Sequence, residues 1–417
     1  MHVLMLCALE VWALPGRGGA PTLYRTLRAY GERGHRVTYI APAVGANAFS
    51  PSPAPDIDGV TFERFHLPSL QESRLPLPQL LKKADQKLRF AVLYPFLAAH
   101  RARSVLERDP VDLLYAYEVH GALAARLLRS DLPTVARFQG TVMYQALASP
   151  LERLRRYEEL LALRLPADIY IMTNDGTRGD EVLKRVNSAA GQKLRFWRNG
   201  LDLDRLGPAE ASEKRAKRAA LHLAAEDFVL LTASRLAAWK RIDRAIAALP
   251  RILRGAPNAL LLVVGDGDER ANLEQQARAL DVAERVRFTG AVPQETVLDY
   301  MHAADLFLAP ADLSNVGNPL LEAMTCGLAI VTVDAGATGE LIRDGNTGRL
   351  LATGAPEAIA DAVVALAEDN EERGRLGAGA RRYAESEFWT WEARLAAELD
   401  EVERLVSQTA QPVAGSR

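Results

Sequence analysis

The residues best suited to chemistry lie between Leu306 and Ile342, in the run LFLAPADLSNVGNPLLEAMTCGLAIVTVDAGATGELI. Leu306–Pro310 is an apolar run closed by proline, fit for a strand buried on both faces. Asn318 reads as a helix N-cap, Pro319 as the first helical residue and Gly327 as the residue just past the helix end. The polar loop Asp312-Leu313-Ser314-Asn315-Val316-Gly317 can bring bare backbone N–H groups against a ligand. A helix N-terminus at the carboxyl edge of a parallel sheet is a ready anion site. Glu322, one turn in, can face a neutral polyol without opposing an anion. The stretch therefore predicts a phosphate-bearing, hydroxyl-rich ligand. It also suits a plain βαβ unit whose loop only caps a helix.

The elements that must position this stretch recur along the chain. His2–Leu9 reads as a strand, Pro15-Gly16-Arg17-Gly18-Gly19 as a glycine-rich turn, 20–32 as an amphipathic helix, and Gly34–Ile40 as the lead into a second strand. The glycine pair fits either a ligand-approach loop or a tight turn. Residues 41–58 read as a loop. Val111–Ala116 and Thr134–Phe138 are further strands, whose following turns, Tyr117–Gly121 and Gln139–Thr141, must face one cleft. A charged, Ala-rich helix over 208–226 suggests a solvated face. FVLLTAS from Phe228, Leu260–Val264 and Val286–Gly290 repeat the strand pattern. Two such sets predict an α/β protein of two Rossmann-like, doubly wound domains facing across a cleft. Their expected extents are 1–200 and 201–385, with a last helix, 386–406, crossing back onto the first domain and a disordered tail after Gln408.

The 417 residues, 48% hydrophobic and 25% charged, suit a protein with two large cores. A net charge of −2 argues against bulk attraction to nucleic acid. Cys7 and Cys326 are expected as small buried hydrophobes in a reducing cytoplasm. No apolar run is long enough to span a bilayer, and the N-terminus reads as a strand rather than a signal peptide. Residues 71–108 stand apart, with Arg74, Lys82, Lys83, Lys87, Arg89, Arg101, Arg103 and Arg108 against Glu72, Asp85 and Glu107, interleaved with Leu77, Leu80, Leu81, Phe90 and Phe96. Such basic amphipathic helices can rest on an anionic inner membrane, or simply pack on the first sheet with a solvated face.

Gly317, Pro319 and Glu322-Ala323-Met324 resemble the nucleotide-sugar site of the retaining GT-B glycosyltransferases, in particular the large family 4 group. The family pattern is Glu, seven residues, then a second Glu, and Ser314 stands where the first Glu belongs. Arg235-Leu236-Ala237-Ala238-Trp239-Lys240-Arg241 resembles the family's diphosphate loop, with Ser234 and Arg241 at positions where glycine is preferred. The resemblance implies that Arg235 and Lys240 grip the donor diphosphate, stabilising negative charge as the glycosyl bond breaks. It implies that Glu322 takes the ribose hydroxyls, that Ser314, Asn315, Gly317 and Asn318 line the donor, and that Gly18 and Gly19 let acceptor and phosphates approach closely. Glu118 and His120 follow the strand after which the family usually places histidines, so either can bond the transferred sugar or the acceptor; a structural role suits each equally. With serine at 314, Asp312, Asn315 or main-chain amides are expected to take over the sugar contacts.

The implied activity is metal-independent, retaining transfer of a sugar from a nucleoside-diphosphate sugar to an acceptor hydroxyl on a glycan, a lipid-linked molecule or a small molecule. It needs no cofactor and no metal. No protein nucleophile is evident, in keeping with a leaving phosphate that takes the acceptor's proton. Two alternatives remain: a GT-B protein that binds a nucleotide sugar without transferring it, and a sugar-nucleotide epimerase using Glu118 and His120 for proton transfer.

Overall fold

The computed structural model describes residues 1–9, 21–43, 55–70 and 78–410. Gly18 and Gly19, residues 71–77 and the tail beyond 410 lie outside the described residues.

Two parallel sheets organise the chain. The first contains β1 (His2–Cys7), β2 (Arg36–Ala43), β3 (Val60–His66), β4 (Leu113–Tyr117), β5 (Thr134–Phe138), β6 (Ile169–Thr173) and β7 (Leu194–Trp197), in the order β3-β2-β1-β4-β5-β6-β7. The second contains β8 (Phe228–Ala233), β9 (Ala259–Val264), β10 (Val286–Gly290), β11 (Leu306–Ala309), β12 (Ala329–Val333) and β13 (Arg349–Leu351), in the order β10-β9-β8-β11-β12-β13. Central strands are buried throughout because helices cover both faces. Along β1, Val3 and Met5 pack with Leu23, Leu27 and Tyr30, while Leu4 and Leu6 pack with Tyr94, Ala98 and Ala122. That alternation is the two-residue period of a strand between two helical layers. Around the second sheet, helix Ile242–Gly255 buries Ile242, Ala245, Ile246, Leu249 and Ile252, one stripe at helical spacing.

The last helix, Trp391–Ala410, returns to the first sheet, where Leu399 and Val402 join the cluster built on Val3, Met5 and Cys7. Glu398 goes deeper, accepting bonds from the Tyr115 hydroxyl (2.5 Å), Arg137 (3.0 Å) and Arg394 (3.1 Å). Burial pushes the Glu398 carboxyl up, but the two guanidiniums and the tyrosine more than offset this and hold it below the ordinary range.

Three expectations need correcting. Strand β2 runs through Ala43, into the residues read as a loop, and β3 follows at Val60. The charged helix covers only Ala211–Ala220 and is not simply solvated, since Lys214 (2.6 Å) and Arg218 (2.5 Å) clamp Asp305 before β11. Gly317, not Asn318, is the N-cap of helix Asn318–Thr325 and, as glycine, offers no side-chain cap bond, while the Asn318 side-chain oxygen accepts from Asn199 (3.1 Å). Gly327 ends that helix at φ +70, as expected, and the Leu328 N–H bonds Ala323.

Candidate active site between the sheets

In a doubly wound sheet the ligand crevice opens where successive strands diverge to opposite sides. In the second sheet that point lies between β8 and β11. A shallow hollow opens there, lined among others by Ser234, Lys240, Pro310, Asn315, Gly317 and Pro319. The matching point of the first sheet lies between β1 and β4, and it puts Glu118 on the facing edge.

Lys240 ends a short turn, Ala238–Lys240, and its Nζ sits 4.1 Å from the Trp239 ring centre. Among the described residues no carboxylate bonds it. Burial lowers its amine to about 8, Asp175 pulls it back up, and the neighbouring Arg235 charge pushes it down. The ion pair that opens the next helix belongs to Arg241, which binds Asp243 (2.9 Å) and Asp312 (2.8 Å). Arg235 is exposed and likewise makes no ion pair with a carboxylate among the described residues, so two cations stand without an ion-pair partner beside the crevice. Two fixed positive charges near a helix tip are an arrangement for a dianion.

The loop before helix Asn318–Thr325 is less open than its sequence implies. The N–H groups of Asp312, Asn315, Val316 and Gly317 are occupied by Trp239, Thr338, Ser314 and Asn315. Those of Leu313, Ser314 and Asn318 have no acceptor among the described residues. The available amides therefore lie at 313, 314 and 318, whereas Gly317 contributes backbone shape.

Glu322 is buried on that helix, and burial pushes its carboxyl up to about 7. Gln294 donates to it at 3.1 Å, Asp202 adds repulsion and Arg25 partly offsets both effects. A buried carboxyl that is about half protonated near neutrality is suited to exchanging hydrogen bonds with hydroxyls.

Ser314 faces the other domain instead of the hollow. Its hydroxyl donates to the Asp175 carbonyl at 2.6 Å and accepts from the Val316 N–H at 3.0 Å. The expected substitutes are also engaged. Asp312 holds Arg241 and Arg244 (2.6 Å), and the buried Asn315 spans Ala311 and Val333. Neither side chain is free to take over sugar contacts.

On the first domain, Glu118 sits at φ +63 directly after β4 and accepts from the Gln139 N–H at 2.7 Å. Burial pushes its carboxyl up to about 7, helped by Glu159 and Asp175. His120 points elsewhere: its ring lies 5.6 Å from Phe90 and 3.7 Å from Glu158, and burial lowers its pKa. The two candidates do not form one constellation. Asp175, after β6, is a cleft residue that the sequence reading missed; burial pushes its carboxyl up to about 6. Its surroundings, Asn174-Asp175-Gly176-Thr177, read locally as a turn. Among the described residues no cluster of three His, Cys, Asp or Glu could hold a metal.

Comparison with known proteins bears on this geometry. Residues 213–383 match the family model for glycosyl transferases group 1. A GDP-mannose-dependent monoacylated alpha-(1-6)-phosphatidylinositol monomannoside mannosyltransferase of Corynebacterium glutamicum is 30% identical over 219 residues, 50% of this chain and 56% of that protein. The chain thus spans about half the length of such curated relatives. The N-acetyl-alpha-D-glucosaminyl L-malate synthase of Bacillus anthracis is 24% identical over 71% of this chain and 75% of its own. A sucrose-phosphate synthase structure from Thermosynechococcus elongatus superposes with TM-score 0.79 at 21% identity, covering 98% of this chain and 100% of that one. Two facing Rossmann-like sheets and the matched segment lead to one conclusion: the chain has the GT-B fold, and its residues 213–383 are similar to the group 1 glycosyl transferases.

Proposed function

We propose that the chain is a metal-independent, retaining glycosyltransferase that moves a sugar from a nucleoside-diphosphate sugar to an acceptor hydroxyl. The observation that carries this reading is the unneutralised Lys240, beside Arg235 and the open amides at 313, 314 and 318, at the β8–β11 crevice. As the glycosyl bond breaks, charge accumulates on the leaving diphosphate, where two fixed cations stabilise it. The leaving phosphate then takes the acceptor's proton on the same face. Glu322 receives the ribose hydroxyls, and Glu118 lies on the acceptor edge. The epimerase alternative needs two groups on one sugar ring, and the separate surroundings of Glu118 and His120 weigh against it. Incubation with UDP-, GDP- and ADP-sugars plus acceptor tests the reading. One donor should release nucleoside diphosphate and yield a product of unchanged anomeric configuration; binding without release would support a non-catalytic binder.

We further propose a cytoplasmic protein whose basic helices rest on anionic lipid. Helix Tyr94–Arg108 buries Tyr94, Ala98, Ala102 and Val105, while Phe96 (61%) and Leu88 (52%), the residue after Lys87, stay exposed. Among the described residues no helix is long and apolar enough to cross a membrane. Anionic vesicles should bind the protein and neutral ones should not, and Lys82→Glu with Lys83→Glu should weaken binding at least tenfold, given ~1 kcal/mol per basic residue. Equal binding to both vesicle types would remove the proposal.

A further inference from the structure

We propose that Asp175 supplies, from the first domain, the carboxylate that receives hydroxyls of the donor's sugar. This rests on the donor-site reading above and names a specificity residue within it. Elimination leads to it. The second-domain side chains expected to hold the sugar, Ser314, Asp312 and Asn315, are all engaged with protein partners. Yet the Ser314 hydroxyl sits 2.6 Å from the Asp175 main chain, so the displaced family position and Asp175 are immediate neighbours across the cleft.

The contact is built closely. A Cβ on Gly176 would come within 2.4 Å of the Ser314 hydroxyl, and one on Gly140 within 2.1 Å of Asp175 Oδ2. Both glycines stand at positive φ, +77 and +117, so backbone conformation and space each favour glycine there. The Ala337 N–H bonds the Gly176 carbonyl at 2.8 Å, fixing the same turn to the second domain. A longer glutamate at 314 would have to displace this turn.

The Asp175 carboxylate is held but not saturated. Oδ1 accepts from the Thr177 N–H (3.1 Å) and hydroxyl (2.5 Å). Oδ2 has no hydrogen-bond partner among the described residues and is not sealed from solvent. Its charge reaches Lys240, so the two groups face the same crevice. Its raised pKa, from burial first, matches a group that gains from hydroxyl donors.

The test compares a free nucleoside diphosphate with its nucleotide sugars by calorimetry on the intact chain. Asp175→Asn preserves an Oδ1 acceptor for Thr177 and removes the charge; Asp175→Ala removes both. Both should bind the nucleoside diphosphate within about twofold of wild type and the nucleotide sugar roughly tenfold or more weakly, as expected for a lost hydrogen bond to a charged group. Equal weakening for both ligands, or none for the nucleotide sugar, would overturn the assignment. Wild type that binds no nucleoside diphosphate would overturn the donor-site reading and this one with it. Apo melting temperature separates misfolding from either result, and if Asp175→Ala unfolds, Asp175→Asn alone decides.

Discussion

Lys240→Ala is expected to lower the turnover rate by about 10²–10³-fold, the effect of removing one preorganised group from a developing anion. Arg235 should not compensate, because it is exposed and its charge is more strongly screened. The fold should survive. Burial holds the Lys240 amine at about 8, below its ordinary value, so its charge costs stability near neutrality and removing it should leave the melting temperature unchanged or higher. The same shift makes a pH prediction. Diphosphate binding needs the protonated amine, so affinity should be level below pH 8 and fall above it, by up to about tenfold per unit. Lys240→Ala should flatten that profile. Wild-type turnover in the variant would remove the diphosphate assignment.

Glu398→Ala should destabilise the protein by about 3–5 kcal/mol, because it strands two buried guanidiniums. The side chains of Arg137 and Glu398 are both 0% exposed, and Arg394 is 1% exposed, so water cannot replace the lost partner. By contrast, Arg33 forms solvated ion pairs with Asp400 and Glu403 of the same helix, where loss should cost under about 1 kcal/mol. Since the carboxylate is held below its ordinary range, its contribution is present at neutral pH and is lost as acid protonates it. Denaturant titration of both variants checks the contrast. A Glu398→Ala cost no larger than that of Arg33→Ala would mean the crossing helix is held by Leu399 and Val402 alone.

Much of this architecture was legible in the sequence because parallel strands buried on both faces leave continuous apolar runs, as in VLMLC, FVLLTA and ALLLVV. Strand β3 escaped because it lies at the sheet edge, where Glu63 and Arg64 interrupt the pattern, and β13 has only three residues. At the candidate site, local spacing pointed to Glu322 and the helix tip, and the family resemblance pointed to Lys240. It could not show that Ser314 turns away, since its partner Asp175 is 139 residues distant. It also misjudged which loop amides are available, because Asn315 and Val316 are satisfied by hydroxyls of Thr338 and Ser314. Asp175 itself reads as a turn residue until the second domain is brought against it. Side chains whose roles arise from contact between domains leave little local pattern.

The most direct measurement is a crystal structure grown with the nucleoside diphosphate that gives the largest thermal shift. The account predicts its phosphates within hydrogen-bonding distance of Lys240 and Arg235 and of the amides at 313, 314 or 318, with the ribose at Glu322. A diphosphate bound away from the β8–β11 crevice, with Lys240 making no contact, would contradict it.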